Sequence, residues 1–174
     1  MRNISVSELP FIREELKAGE FINLSGKVFC ARDAAHKKLF ELMDSGKELP
    51  MCLKNAVIYY AGPTPEFGNK AVGSCGPTTS SRMDKYTPKL MQMGVIATIG
   101  KGKRSDEVVE SIIENKALYF CAIGGAGAVA SHHIVKSEVI AFPELGCEAL
   151  RLFEFDNFPL IVGIDSSGNV AMKA

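Results

Sequence analysis

Residues 95–123, VIATIGKGKRSDEVVESIIENKALYFCAI, hold a strand, a helix and a second strand in one uninterrupted reading. Val95 to Gly100 is an apolar run of strand length that stops at glycine. Ser105 is placed to cap a helix, with Asp106 and Glu107 at its positive end, and Val108, Val109, Ile112 and Ile113 follow at helical spacing. Leu118 to Ile123 is again short and apolar, and runs into a glycine turn. The same alternation extends outward. Phe21 to Cys30 reads as a strand interrupted at Gly26. Asp33 can cap a helix from Ala34 to about Ser45, with Ala35, Leu39, Leu42 and Met43 on one face and Gly46 as its stop. Ala56 to Ala61 is an apolar run ended by Gly62 and Pro63, and a Gly- and Pro-dense loop continues to Pro77. Thr87-Pro88 opens another helix, because proline suits the first helical turn. Val135 to Phe142 and Leu160 to Asp165 read as strands, and Ser166, Ser167 and Gly168 as the turn of a terminal hairpin. The pattern predicts an α/β fold with a mixed sheet, in one domain over residues 1–174.

Composition narrows the function. Twenty basic residues balance twenty acidic ones among 174, so the chain lacks the cationic footprint of a nucleic-acid binder. The longest stretch without a formal charge, Ala117 to Val135, holds Gly124, Gly125, Gly127, Ser131, His132 and His133, too polar for a bilayer span. At the N-terminus Glu8, Arg13, Glu14 and Glu15 arrive before any apolar run, so no signal peptide is expected and the cytoplasm is the expected location. Five cysteines (Cys30, Cys52, Cys75, Cys121, Cys147) include no C-x-x-C pair. They read as small buried hydrophobes rather than metal ligands.

Four clusters could carry chemistry. Arg32, in the run ARDAAHK at 31–37, sits where a strand gives way to a helix and could fork two donors onto a carboxylate; its plain alternative is a surface pair with Asp33. GPTTSSRMD at 76–84 gathers Thr78, Thr79, Ser80 and Ser81 with Arg82 at an expected helix start, where unpaired N–H groups favour an anion; the alternative is a heavily capped helix. Gly100-Lys101-Gly102-Lys103-Arg104 fails the phosphate-loop count and leaves Lys101 between two glycines, or an ordinary solvated turn. Gly125, Gly127 and Ala130 fit G-x-G-x-x-A, with Glu144 or Glu148 as a ribose partner, but begin too late in the chain for a dinucleotide fold. A nucleotide- or anion-binding module remains as a distant alternative.

Together ARDAAHK, GPTTSSRMD, GKG at 100–102, GGAGA at 124–128, GCEAL at 146–150 and DSSGN at 165–169 closely resemble the β subunit of the iron-sulfur class I fumarases and L-tartrate dehydratases, equivalent to the C-terminal domain of the single-chain fumarases. The resemblance implies a swivelling β/β/α domain that closes over a four-iron four-sulfur cluster carried by a partner α subunit, with none on this chain, in a dimer of heterodimers. It implies that Arg32, Arg82 and Lys101 bind a small dicarboxylate beside Thr79, and that Thr78 and Lys101 are catalytic, Thr78 moving the proton. Asp33, His36 and Asp84 would orient the arginines. It implies fumarate hydration to L-malate, or L(+)-tartrate dehydration in the same site. Two arginines and a lysine would leave one positive charge to spare over a dianion, and Lys101 is the candidate to lower the proton affinity of Thr78.

Overall fold

The computed structural model describes residues 1–122 and 127–171. In chain order the elements are β1 (Arg2–Ser5), α1 (Leu9–Ile12), β2 (Phe21–Cys30), α2 (Asp33–Asp44), β3 (Val57–Tyr59), a 3-10 turn (Ser80–Met83), α3 (Thr87–Gln92), β4 (Ala97–Gly100), α4 (Asp106–Asn115), β5 (Leu118–Cys121), α5 (Gly127–His132), β6 (Ile134–Ala141), a second 3-10 segment (Pro143–Glu148) and β7 (Leu150–Ile164). The expected α/β class and mixed sheet are found. Strands β1 to β5 pair in parallel, while β7 runs antiparallel to β2, β5 and β6.

β7 decides the shape. One of its edges pairs with β2 from Phe21 to Cys30, and the other reaches β5 and β6. Pairing therefore runs β2–β3–β4–β5–β7 and back to β2, which curls the sheet into a closed ring. Leu24, Val28, Tyr59, Phe120, Phe153, Phe155, Phe158 and Val162 belong to one buried cluster. Phe155 stacks on Phe158 with centroids 4.2 Å apart, and Tyr59 meets both rings edge-on. The Tyr59 hydroxyl donates to the Cys75 carbonyl at 2.7 Å, so its polar end is satisfied inside the apolar cluster. Helices α2 and α3 cover a second cluster through Leu39 and Leu90, and α4 a third through Val108 and Ile112.

Only Leu160 to Asp165 is expected as strand at this end of the chain, yet β7 begins ten residues earlier. Phe153 and Phe155 do alternate inward, but Asn157 takes a left-handed φ of 49° and Pro159 comes two residues later. A bulge at this point faces Ser25, whose hydroxyl accepts the Asn157 N–H at 2.9 Å. Bulge and proline imitate a turn in sequence. The structure also corrects four smaller expectations. Asp33 is the first residue of α2 rather than its cap, a position held by Arg32 with no side-chain capping bond. The hydroxyl-rich run opens a four-residue 3-10 turn, not an α-helix, so it has no developed helix dipole for an anion. Ile113 is 41% exposed rather than core. Cys30 and Cys75 are buried as expected, but Cys52 and Cys147 are exposed. Ser105 does cap α4, its hydroxyl accepting the Val108 N–H at 3.3 Å.

Candidate functional site

Strands β2, β3 and β4 run parallel and leave their C-terminal ends on one rim of the ring, the side on which closed parallel α/β barrels bind their ligands. Three of the clusters meet there. Arg32 comes two residues after the end of β2. The chain leaves β3 through Tyr60, makes its long loop, and returns so that the Thr78 N–H donates to the Tyr60 carbonyl at 2.8 Å. Thr79 then bridges to Lys101 in parallel register, and the Ser80 N–H donates to the Lys101 carbonyl at 2.9 Å. The loop bearing Thr78 and Arg82 is thus stitched by backbone to the end of β4. Gly100 permits this closeness, because a Cβ there would meet the Ser80 hydroxyl. Gly62 does the same for Arg32: its Cα hydrogen faces Arg32 Cδ and Nη1, each 3.2 Å from where a Cβ would stand.

Asp33 joins the two arginines. Its Oδ2 lies 3.3 Å from Arg32 Nε and its Oδ1 3.2 Å from Arg82 Nε. Both guanidinium groups are gripped at Nε, which leaves their terminal nitrogens to other partners. Arg82 Nη2 donates to the Thr78 hydroxyl oxygen. Arg32 Nε also lies 3.0 Å from Glu148 Oε1, which comes from GCEAL. The Nε–H points to Asp33, so the approach to Glu148 is an ion contact that leaves the buried Oε1 without a hydrogen-bond partner. At side-chain exposures of 28% for Arg32 and 45% for Arg82, each pair contributes under about 1 kcal/mol, and the network rather than any one pair holds the geometry.

The counter-charges revise the expected surplus. Arg32, Arg82 and Lys101 supply three positive charges, and Asp33 and Glu148 remove two of them before a ligand arrives. A bound dianion would leave this half of the site one charge negative.

The remaining expected residues divide. His36 is fully buried, its Nδ1–H donating to the Arg32 carbonyl at 2.8 Å, and it stacks on Tyr86. Burial pushes its imidazole down to about 4, so it is neutral near pH 7 and its Nε2 has no partner. It therefore fixes the backbone of Arg32, not the guanidinium. Asp84 touches neither Arg32 nor Arg82. Its Oδ1 accepts from Arg104 Nε at 2.7 Å and its Oδ2 from the Ser105 N–H at 2.8 Å. Arg104 is what sequence reasoning missed: in a glycine- and lysine-rich run it reads as solvated, yet its side chain is 0% exposed. Nothing local in the sequence marks it. Burial alone would push its pKa down, but Tyr60 and Asp84 more than offset that and raise it.

Gly124 and Gly125 of the dinucleotide-like run lie outside the described residues. The strand after them, β6, does not pair beside β5 as the adjacent βαβ unit of a dinucleotide fold would; β7 lies between the two. Glu148 is taken by Arg32, and Glu144 lies 3.6 Å from Lys38. Among the described residues no group of three His, Cys, Asp or Glu side chains could hold a metal ion, and no helix is long and apolar enough to cross a membrane.

A family model described as the fumarase C-terminus matches residues 2–174. The anaerobic class I fumarate hydratase of Escherichia coli (strain K12) is 41% identical over 150 residues, which are 85% of this chain and 27% of that protein. Fumarate hydratase 2 of Leishmania major is 38% identical over 163 residues, 91% of this chain and 29% of that protein. The putative L(+)-tartrate dehydratase subunit beta of Methanocaldococcus jannaschii is 36% identical over 162 residues, 90% of this chain and 83% of that subunit. The chain thus spans under a third of these fumarate hydratases but most of the separate subunit.

Proposed function

The chain belongs to the fumarase C-terminus family, and from that premise we propose that it is the β subunit of a two-subunit hydro-lyase, interconverting fumarate and L-malate with an α subunit. The match to most of a protein described as a subunit beta supports the two-chain arrangement, and the 41% identity to the anaerobic fumarate hydratase of Escherichia coli supports the substrate. The observation that carries the proposal is the Asp33 clip: one carboxylate holds Arg32 and Arg82 by Nε beside Thr78, at the rim where Lys101 emerges.

In this reading Arg32 and Arg82 turn their terminal nitrogens to the substrate carboxylates, with Thr79 and Lys101 beside them. Thr78 carries the proton. Because Arg82 donates to Thr78 Oγ1, the hydroxyl's own hydrogen is free to face the substrate. The same cation lowers the hydroxyl's proton affinity, with Lys101 emerging at the same rim. Proton removal beside a carboxylate builds negative charge, and fixed cations there favour the transition state over the ground state. Asp33 holds Arg82 and Arg32 to that task, and His36 holds the Arg32 backbone.

The iron-sulfur cluster that the resemblance implies does not fit this chain. Cys30 and Cys75 lie in the core, Cys52 and Cys147 are exposed, and the described residues offer no ligand set. The α subunit is therefore the proposed carrier, in a dimer of heterodimers, and the free thiols suit a reducing compartment such as the cytoplasm. The negative charge left over when a dianion occupies the cradle also supports a second component, since a positive centre must come from elsewhere. L(+)-tartrate is the second substrate reading, favoured by the same separate subunit. Co-expression with the α subunit, assayed with fumarate, L-malate, mesaconate and both tartrates, tests the proposal. Turnover of fumarate and L-malate is expected; exclusive turnover of L(+)-tartrate would replace the substrate, and no turnover of any diacid would refute the reading.

A further inference from the structure

Arg104, whose side chain is 0% exposed, has a definite set of partners. Nε donates to Asp84 at 2.7 Å, Nη1 to Thr98 Oγ1 at 2.9 Å and Nη2 to Thr87 Oγ1 at 2.8 Å. Its Cζ lies over the Tyr119 and Tyr60 rings, 4.9 and 5.4 Å from their centroids. These partners come from the end of the Arg82 turn, from α3, β4 and β5, and from the residue after β3.

Three of these partners, Asp84, Tyr119 and Thr87, are tied in turn to the candidate site. Asp84 closes the 3-10 turn that presents Arg82, and its other oxygen holds the Ser105 N–H. Tyr119 donates to the Gly102 carbonyl at 2.9 Å and takes the Ser80 hydroxyl at 2.9 Å, tying the residue after Lys101 to the start of the same turn. Thr87 donates to the Met83 carbonyl at 2.9 Å, which secures the turn from behind. A planar fork with five donors can satisfy Asp84, Thr98 and Thr87 together; an ammonium on a flexible stem cannot hold the same three directions.

From this geometry we infer that Arg104 is a positioning residue for the hydro-lyase site, fixing the spacing between Lys101 and the turn that carries Thr78 and Arg82. The inference rests on the functional reading above, which assigns those residues to the substrate. Arg104 does not touch the ligand. Its effect runs through the two segments it clamps, and it falls on the proton-transfer step more than on the grip of Arg32, which belongs to another element.

The test uses the assembled enzyme with Arg104→Lys, Thr78→Val and the double variant. Arg104→Lys is expected to lower kcat on the order of 100-fold, the scale of a misplacement near 1 Å, while KM for L-malate changes less than about threefold and thermal melting stays cooperative. The double variant is expected to be no worse than Thr78→Val alone, because the Arg104 effect runs through the proton step that Thr78 carries. A purely structural role would give losses that multiply, or a KM and kcat that fall with the melting temperature, and either result overturns the inference. Asp84→Asn, read in the same cycle, serves if the lysine variant does not fold. In the wild-type chain the Arg104 Nε–H should exchange with solvent far more slowly than those of Arg32 and Arg82; fast exchange refutes the clamp without any variant. A wild-type complex that turns over no diacid defeats the functional reading itself, whereas an active complex with an unaffected Arg104→Lys defeats only this inference.

Discussion

Asp33 and Thr78 show how a weak set of surface contacts can define a site. Neither arginine is buried, so the shared carboxylate organises them by geometry rather than by a large energy. Thr78→Val should cut kcat about 100-fold or more, the usual weight of a positioned proton donor or acceptor, whereas Thr78→Ser keeps most of it. Stopped-flow hydration assays on the assembled enzyme check both. His36 makes a different expectation, about pH. Burial holds its imidazole near 4 against an unfolded value near 6.5. Between these values the unfolded chain binds the extra proton, so stability is full above about pH 6.5 and falls as pH drops towards 4, by about 3 kcal/mol at most. Urea midpoints against pH should show that slope in the wild type and lose it in His36→Phe. At this scale the sequence was legible where chemistry lies in residue type: Arg32, Asp33, Thr78 and Arg82 do gather. It was silent where placement is set by distant packing, as for Arg104, Glu148 and the partner of Asp84.

Elements were legible when their signal was local. The Ser105 cap, the Thr87-Pro88 helix start and the strand cores at 57–59 and 97–100 all depend on neighbours in sequence. The 3-10 turn at Ser80–Met83 did not follow from its hydroxyls, because they do not cap it: Ser80 bonds the distant Tyr119, and Thr78 bonds Arg82 four residues on. That turn lies flat on β4 only because residue 100 lacks a side chain. Gly100→Ala would press a methyl group into the Ser80 hydroxyl and, at 3.1 Å, the Tyr60 ring. We expect a loss of about 1 to 3 kcal/mol, typical of overpacking, together with reduced turnover as the Lys101 segment is pushed outward. Chemical denaturation and kcat on the same preparation measure the two effects.

For the whole molecule the decisive element is β7, which closes the ring by pairing with both β2 and β5. The rim that carries the cradle keeps its shape because β2, β3 and β4 cannot splay while that closure holds. Phe155, 2% exposed and stacked on Phe158, anchors it. Phe155→Ala should cost about 3 to 5 kcal/mol, a large share of the roughly 5 to 15 kcal/mol that usually keeps a domain folded. Its thermal midpoint should fall before any specific loss of ligand binding appears. The ring closure was hidden from sequence because the Asn157 bulge and Pro159 interrupt the alternation of β7. The central claim, that this chain supplies the cationic half of a diacid site completed by another subunit, is tested most directly by the L-malate turnover of the α subunit reconstituted anaerobically with either the wild-type chain or Arg82→Ala. The wild-type mixture should be active and the Arg82→Ala mixture inactive although it assembles equally well; near-normal turnover by the assembled variant would contradict the account.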